Sequence, residues 1–311
     1  MDKLIVSTSP HLRTSTTTKS IMRDVVIALL PATVAACVLF GLNALYIVLA
    51  CTVSAVLSEM LFNLITRKKF AINEPSSVVT GLLLALNLPA STEIWQCVVG
   101  SVFAIIVVKC LFGGLGCNFA NPAITARIFM LLCFTSVGAT VHTVFEEADI
   151  VAGATPLAVI GGADGKLPSL IDMLIGNRAG AIGETCGIAL IIGFVYLVLR
   201  KVIHWETPVV FVGTVFVLSL IIKQDATAAL YQVLGGGLLI GAIFMATDYV
   251  TCPINRLGKV VFALGCGIIT VLIRFWGAYP EGVSFSILIM NILSPYIEKW
   301  TAKRPLGGKK A

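Results

Sequence analysis

The sequence predicts an all-α polytopic membrane protein of about ten transmembrane helices, arranged as two inverted five-helix repeats with broken helices three and eight. Three observations carry that reading. Hydrophobic residues make up 58% of the 311-residue chain and charged residues only 12%, with a mean hydropathy of +0.98; soluble domains carry roughly 25% charged residues. Apolar stretches approaching the roughly 20 residues needed to cross a bilayer recur along the whole chain. Lysines and arginines sort to alternate ends of those stretches, as the positive-inside rule requires.

The ten spans fall at 23–41, 43–65, 75–89, 94–112, 121–138, 184–202, 207–222, 230–247, 258–276 and 282–299. With the N-terminus inside, the outside receives only Lys166, Arg178, Lys223 and Arg274, and Arg127 falls within span five. Every other Lys and Arg lies inside, including Arg67-Lys68-Lys69 and the tail bases. The chain then divides into a cytoplasmic segment (1–22), a first membrane repeat (23–138), an outer loop (139–183), a second repeat (184–299) and a cytoplasmic tail (300–311). Residues 1–24 lack an apolar core, so no cleavable signal peptide is expected and the first span serves for insertion. The net charge of +6 does not imply nucleic-acid binding, because the bases flank apolar spans and line no single face.

Five spans before the outer loop and five after it place two similar halves in opposite orientations. The third segment of each half is short and bounded by polar residues and proline: Gly81–Asn87 between Pro75 and Pro89, and Gly237–Ile243 before Asp248 and Pro253. Short, Gly/Pro-interrupted segments at matching positions point to broken helices around a central site.

Several polar residues stand out. Arg23 and Asp24 read as an interfacial charge pair ahead of span one. Glu59 in span two and Asp248 after span eight are ion-path candidates, since an intramembrane carboxylate is costly and faces the protein interior or water. Arg127 is expected to pair with a carboxylate or with an anionic group of a cofactor. The connection Phe112–Ala123 holds Gly113, Gly114 and Gly116, and no strand precedes it, which excludes a dinucleotide fold. Its glycines allow close backbone approach to a ligand, and the amides of Asn118 and Asn121 suit hydrogen bonding to a flavin. The nine cysteines show no C-x-x-C pair, and His11, His142 and His204 form no metal or catalytic spacing.

The outer loop is long for a connection, which favours a functional role. It contains Asp149 and then Gly153-Ala154-Thr155-Pro156, a hydroxyl flanked by residues too small to shield it. With Ser9-Pro10-His11, Asp24–Pro31, Asn73-Glu74-Pro75-Ser76, Gly113–Pro122, and Ala246–Thr251 followed by Pro253, this stretch resembles the family of Rnf D subunits. Those are membrane components of ferredoxin:NAD+ oxidoreductase complexes, related to the B subunit of Na+-translocating NADH:quinone reductase. The resemblance covers most of the chain and implies FMN esterified through its phosphate to Thr155 by a flavin transferase that uses FAD. Asp149, Gly153 and Ala154 fill the acceptor pattern D-x-x-[S/T]-G-A-[T/S], from which Ala152 departs.

The resemblance further implies a non-covalent riboflavin, with Asn73–Ser77 and Gly113–Asn121 as lining, and coupling of electron flow to Na+ or H+ translocation. Partners would be the other Rnf subunits, namely the membrane subunits, the flavin-carrying G subunit and the iron–sulfur and NAD-binding subunits. The expected location is a bacterial inner membrane, with both termini cytoplasmic and the flavin loop outside. A channel or secondary transporter for a small polar solute on the same scaffold is the alternative; it requires no covalent flavin and an open central pore. An assembly scaffold with unmodified Thr155 is a third.

Overall fold

The computed structural model describes residues 16–67, 75–134, 137, 155–160, 167–277 and 281–302. Ten helical stretches overlap the ten predicted spans, and several of them are shorter than predicted. They are α1 (Thr18–Phe40), α2 (Leu42–Ile65), α3 (Ser76–Leu86), α4 (Ile94–Val102, continuing as a π-helix over Phe103–Cys110) and α5 (Pro122–Cys133). Two short helices follow, α6 (Pro156–Ile160) and α7 (Leu170–Ile175). The second set is α8 (Gly187–Leu199), α9 (Glu206–Lys223), α10 (Ala226–Leu234) leading into α11 (Leu238–Ile240, continuing as a π-helix over Gly241–Met245), α12 (Arg256–Trp276) and α13 (Val283–Thr301).

α1, α2, α9 and α12 are each long and apolar enough to cross a bilayer alone. α10 and α11 pass that test together but are bent by 63° at Gly235–Gly237, which bears out a break in the eighth segment. The third segment contains no such bend: α3 is a single helix of 11 residues, too short to span. It ends at Asn87, whose backbone turns out of the helix ahead of Pro89. α1 also begins five residues earlier than expected, because Thr17 and Ser20 form a reciprocal capping box.

Three pairings recur in both halves. α2 packs on α3 and α4, as α9 packs on α10 and α12. α4 packs on α5, as α12 packs on α13. α1 meets α8 and α5 meets α13 across the middle. Small residues permit these approaches. A methyl at Gly193 of α8 would overlap the Ala28 carbonyl oxygen of α1, and one at Gly81 of α3 would stand 2.7 Å from that of Cys51 in α2. Close backbone approach through small residues is how helices associate without a hydrophobic drive. Polar side chains inside the helices bond to their own backbone: Thr52, Ser54 and Ser58 of α2 each donate to the carbonyl four residues back.

Arg23 and Asp24 do not pair. Adjacent helical residues point to different faces, so Arg23 is exposed while Asp24 is buried against α8. There it accepts from Tyr196 at 3.2 Å and meets Arg200 at 3.3 Å.

Candidate functional site

Polar groups gather at two depths of the bundle. The first group lies at the end where α3 stops and α10 breaks. Two backbone N–H groups, of Ile182 and Gly183, donate to the Leu88 and Leu86 carbonyls at 2.9 and 2.7 Å. The segment before α8 thus satisfies the carbonyls left open where α3 ends, and brings Glu184 into the interior at 3% exposure.

Arg127, at 7% exposure in the middle of α5, is the hub. Its guanidinium donates to Asn87 Oδ1 at 2.5 Å, to Glu184 Oε1 at 3.1 Å and to Glu281 Oε2. Of the two partners expected for Arg127, the described structure supplies carboxylates. Glu184 also approaches the first turn of α11, since a methyl at Gly237 would meet its Oε1 at 2.8 Å. A carboxylate at a helix N-terminus and a guanidinium at the C-terminal end of α3 both suit the helix dipoles.

Two further arginines join. Arg178 donates to the Glu184 carbonyl at 2.6 Å, and burial holds its guanidinium down to about 10. Arg274, near the end of α12, donates to the carbonyls of Glu281 at 3.1 Å, Gly235 at 3.2 Å and Gln232. It thereby caps the last carbonyls of α10 at the break.

Thr155 lies beside this group. Its Oγ1 accepts from Ala158 N–H at 3.2 Å and so caps α6, with Pro156 in the first helical position. Leu157 is buried on the break: methyls at Gly235 and Gly236 would meet its side chain at 3.0 and 2.8 Å. Residues 235–237 therefore seat the Thr155 segment on one side and the Arg127–Glu184 pair on the other. Asp149, Gly153 and Ala154 lie outside the described residues, as do Asn73 and Glu74.

The second group surrounds a cavity of about 400 Å³ at the opposite end. Ser76 and Thr80 of α3, Lys109 of the first π-helix, Leu115, Gly116, Asn118 and Asn121 of the glycine-rich connection, and Phe244, Thr247 and Asp248 after the break all line it. The connection can turn there because Gly113, Gly114 and Gly116 hold φ values of +125°, +102° and +88°, open to glycine alone without strain. The two asparagines expected to serve a ligand also have local work. Asn121 Oδ1 caps α5 by accepting from Ala123 N–H at 3.0 Å, its Nδ2 reaches the Met245 carbonyl at 3.4 Å, and Asn118 donates to the Ala120 carbonyl at 3.0 Å.

Lys109 was not singled out from the sequence as a site residue. It is 3% exposed and donates to Glu59 at 2.7 Å and to Ser76 Oγ at 2.8 Å. A lysine inside a span was the available signal, obscured because the next connection begins only a few residues on. Glu59 thus has a cationic partner, which offsets the cost of placing it in a span. Asp248, the other ion-path candidate, accepts from the Thr251 hydroxyl at 3.2 Å.

This architecture defines a class: a helical multi-pass membrane protein with short and broken helices meeting at a buried polar centre. The sequence model of the NQR2, RnfD, RnfE family matches residues 5–307, and the chain belongs to that family. It is 44% identical to the D subunit of the Na(+)-translocating ferredoxin:NAD(+) oxidoreductase complex of Acetobacterium woodii, over 99% of this chain and 96% of that one. It is 36% identical to the proton-translocating counterpart of Clostridium ljungdahlii, over 98% and 96%. The D subunit of an ion-translocating oxidoreductase complex of Methanosarcina acetivorans is 30% identical over 99% of both chains. The resemblance read from the motifs is borne out along the full chain.

Proposed function

We propose that this chain is the electron-transfer D subunit, embedded in the membrane, of an Rnf-type ion-translocating ferredoxin:NAD+ oxidoreductase complex, carrying FMN as a phosphoester on Thr155. The observation that carries the reading is the coincidence of a full-length likeness to such subunits with the placement of Thr155 against the broken helix. The residues present fit the modification. Thr155 Oγ1 accepts its hydrogen bond from Ala158, and an ester oxygen can still accept, so losing the hydroxyl proton leaves the α6 cap in place. In maturation the threonine oxygen displaces AMP from the FMN-side phosphorus of FAD and its proton leaves. Bound flavin supplies one- and two-electron redox chemistry; the protein tunes it through charge, hydrogen bonds and burial.

The inner cavity is the proposed riboflavin site. Its volume lies within the 300–1,000 Å³ typical of small-molecule sites. The N-termini of α3 and α5 and the Lys109 ammonium face it and favour a carbonyl-rich ring that gains negative charge on reduction. Glu59, through Lys109, and Asp248 border the same cavity and remain the ion-path candidates. The pairings shared by the two halves support ten spans in two inverted repeats, and the bias of lysines and arginines supports both termini and the inner cavity being cytoplasmic with Thr155 outside. The likeness to D subunits supports assembly with the other Rnf subunits, and we place the complex in a bacterial inner membrane. The coupling ion is Na+ or H+, since the relatives' names divide between them.

The test is expression with the flavin transferase, denaturing electrophoresis and in-gel fluorescence. Wild type is expected to fluoresce and to gain the mass of an FMN ester, and Thr155→Val to lose both. A dark wild-type band removes the reading, and a fluorescent Thr155→Val band moves the attachment site. A channel would leave both dark.

A further inference from the structure

The two polar groups approach each other closely at the centre of the bundle. Asn121 caps α5 at the inner cavity, and Arg127 stands six residues further along the same helix, about 9 Å away at 1.5 Å per residue. A bilayer core is about 30 Å thick. The separation is short because helices stop or break here: α3 ends at Asn87 and α11 begins at Gly237. Polar groups cross it in steps, with the Met245 side chain between them. Asn121 Nδ2 reaches the Met245 carbonyl at 3.4 Å, Asn87 Nδ2 lies 3.7 Å from Met245 Sδ, and Asn87 Oδ1 accepts from Arg127. Beyond Arg127 stand two carboxylates, Glu184 and Glu281.

A thin polar septum flanked by carboxylates invites cations, and in a complex that builds an ion gradient such a route would dissipate it. We propose that Arg127 is the charge barrier of this septum, excluding Na+ and protons from a direct path between the two faces. A fixed arginine at a constriction with half-helix ends is an established way for membrane proteins to reject cations. Here the guanidinium is held by three acceptors from three separate segments, Asn87, Glu184 and Glu281, so it cannot swing aside without breaking all three bonds and leaving the buried Glu184 carboxylate without its ion pair. With Arg178 and Arg274 beside it, three guanidinium groups outnumber the two carboxylates that would otherwise bind the ion. The inference rests on the proposed reading only in assigning the two ends of the bundle to opposite sides of the membrane.

The test is passive leak through the purified complex in liposomes, without redox substrate, under a potassium diffusion potential. Na+ influx is read with a sodium-sensitive dye and H+ influx with entrapped pyranine. Wild type and Arg127→Lys are expected to be tight, and Arg127→Gln to leak at least tenfold faster at equal protein incorporation. If Arg127→Gln fails to assemble, Arg127→Gln/Glu281→Gln, which keeps the net charge of the cluster, replaces it with the same expectation. An assembled variant lacking Arg127 that is as tight as wild type overturns the barrier. Flavin on Thr155, measured in the same samples, separates the outcomes: a tight, flavin-labelled variant sinks the barrier alone, whereas unlabelled wild type sinks the flavin reading alone.

Discussion

Asn121 shows how a single side chain serves two ends of one site. Its Oδ1 caps α5 while its Nδ2 reaches the Met245 carbonyl on the other half of the molecule. Replacing it with alanine removes the cap and the bond to Met245. Loss of an N-cap alone costs about 1 kcal/mol, so Asn121→Ala is expected to lower the melting temperature of the detergent-solubilised protein by a few degrees. Asn121→Ser keeps a neutral capping oxygen and is expected to recover part of that loss; if it melts no higher than the alanine variant, the cap is not what Asn121 contributes. The residue stood out in the sequence for its amide and its place before Pro122, but the carbonyl it reaches is 124 positions away. Arg127 was legible in the same partial way. A charge inside a span had to be paired, yet its carboxylates lie 57 and 154 residues distant and in no motif.

At the scale of elements, hydropathy and proline placement revealed where helices lie and less well how they end. A break in the eighth segment was expected from the short segment Gly237–Ile243 and the Asp248 and Pro253 that follow it, and the bend lies at its start, at Gly235–Gly237. The third segment was expected to match it and does not: α3 is one short helix, closed by N–H groups of Ile182 and Gly183 that only the folded chain brings there. The contact of α1 with α8 joins the halves and depends on Gly193, where a methyl would overlap the Ala28 carbonyl oxygen, a backbone atom that cannot rotate away. Overpacking typically costs about 1–3 kcal/mol, so Gly193→Val is expected to lower the melting temperature without lowering Thr155 flavinylation in the folded fraction. Gly213, with open space where its Cβ would stand, is the control and is expected to tolerate alanine. Equal melting of the two variants would show that the approach of α1 and α8 is not tight.

For the whole molecule, the expectation concerns sidedness. Cys117 is exposed in the glycine-rich connection beside the inner cavity. Cys252, in the turn after the break, has its thiol pushed up to about 12 by burial, so almost no thiolate forms near neutral pH. A membrane-impermeant maleimide is expected to label Cys117 in inside-out vesicles and not in right-side-out ones, and to leave Cys252 unlabelled in both. Labelling of Cys117 from the outside would invert the proposed topology and place Thr155 in the cytoplasm.

Composition, hydropathy and the distribution of basic residues determined the membrane class and where the helical segments lie, and the short motifs carried the resemblance to the family, because each is a local or additive property of the chain. The position of Thr155 in its motif was equally local. Only the tertiary structure decided that Asp24 turns to Arg200, that Glu59 meets Lys109, and that Arg127 gathers Asn87, Glu184 and Glu281 at the meeting point of the short helices. Burying a charge carries a penalty that only a partner can offset, and which partner arrives is set by how the two halves pack.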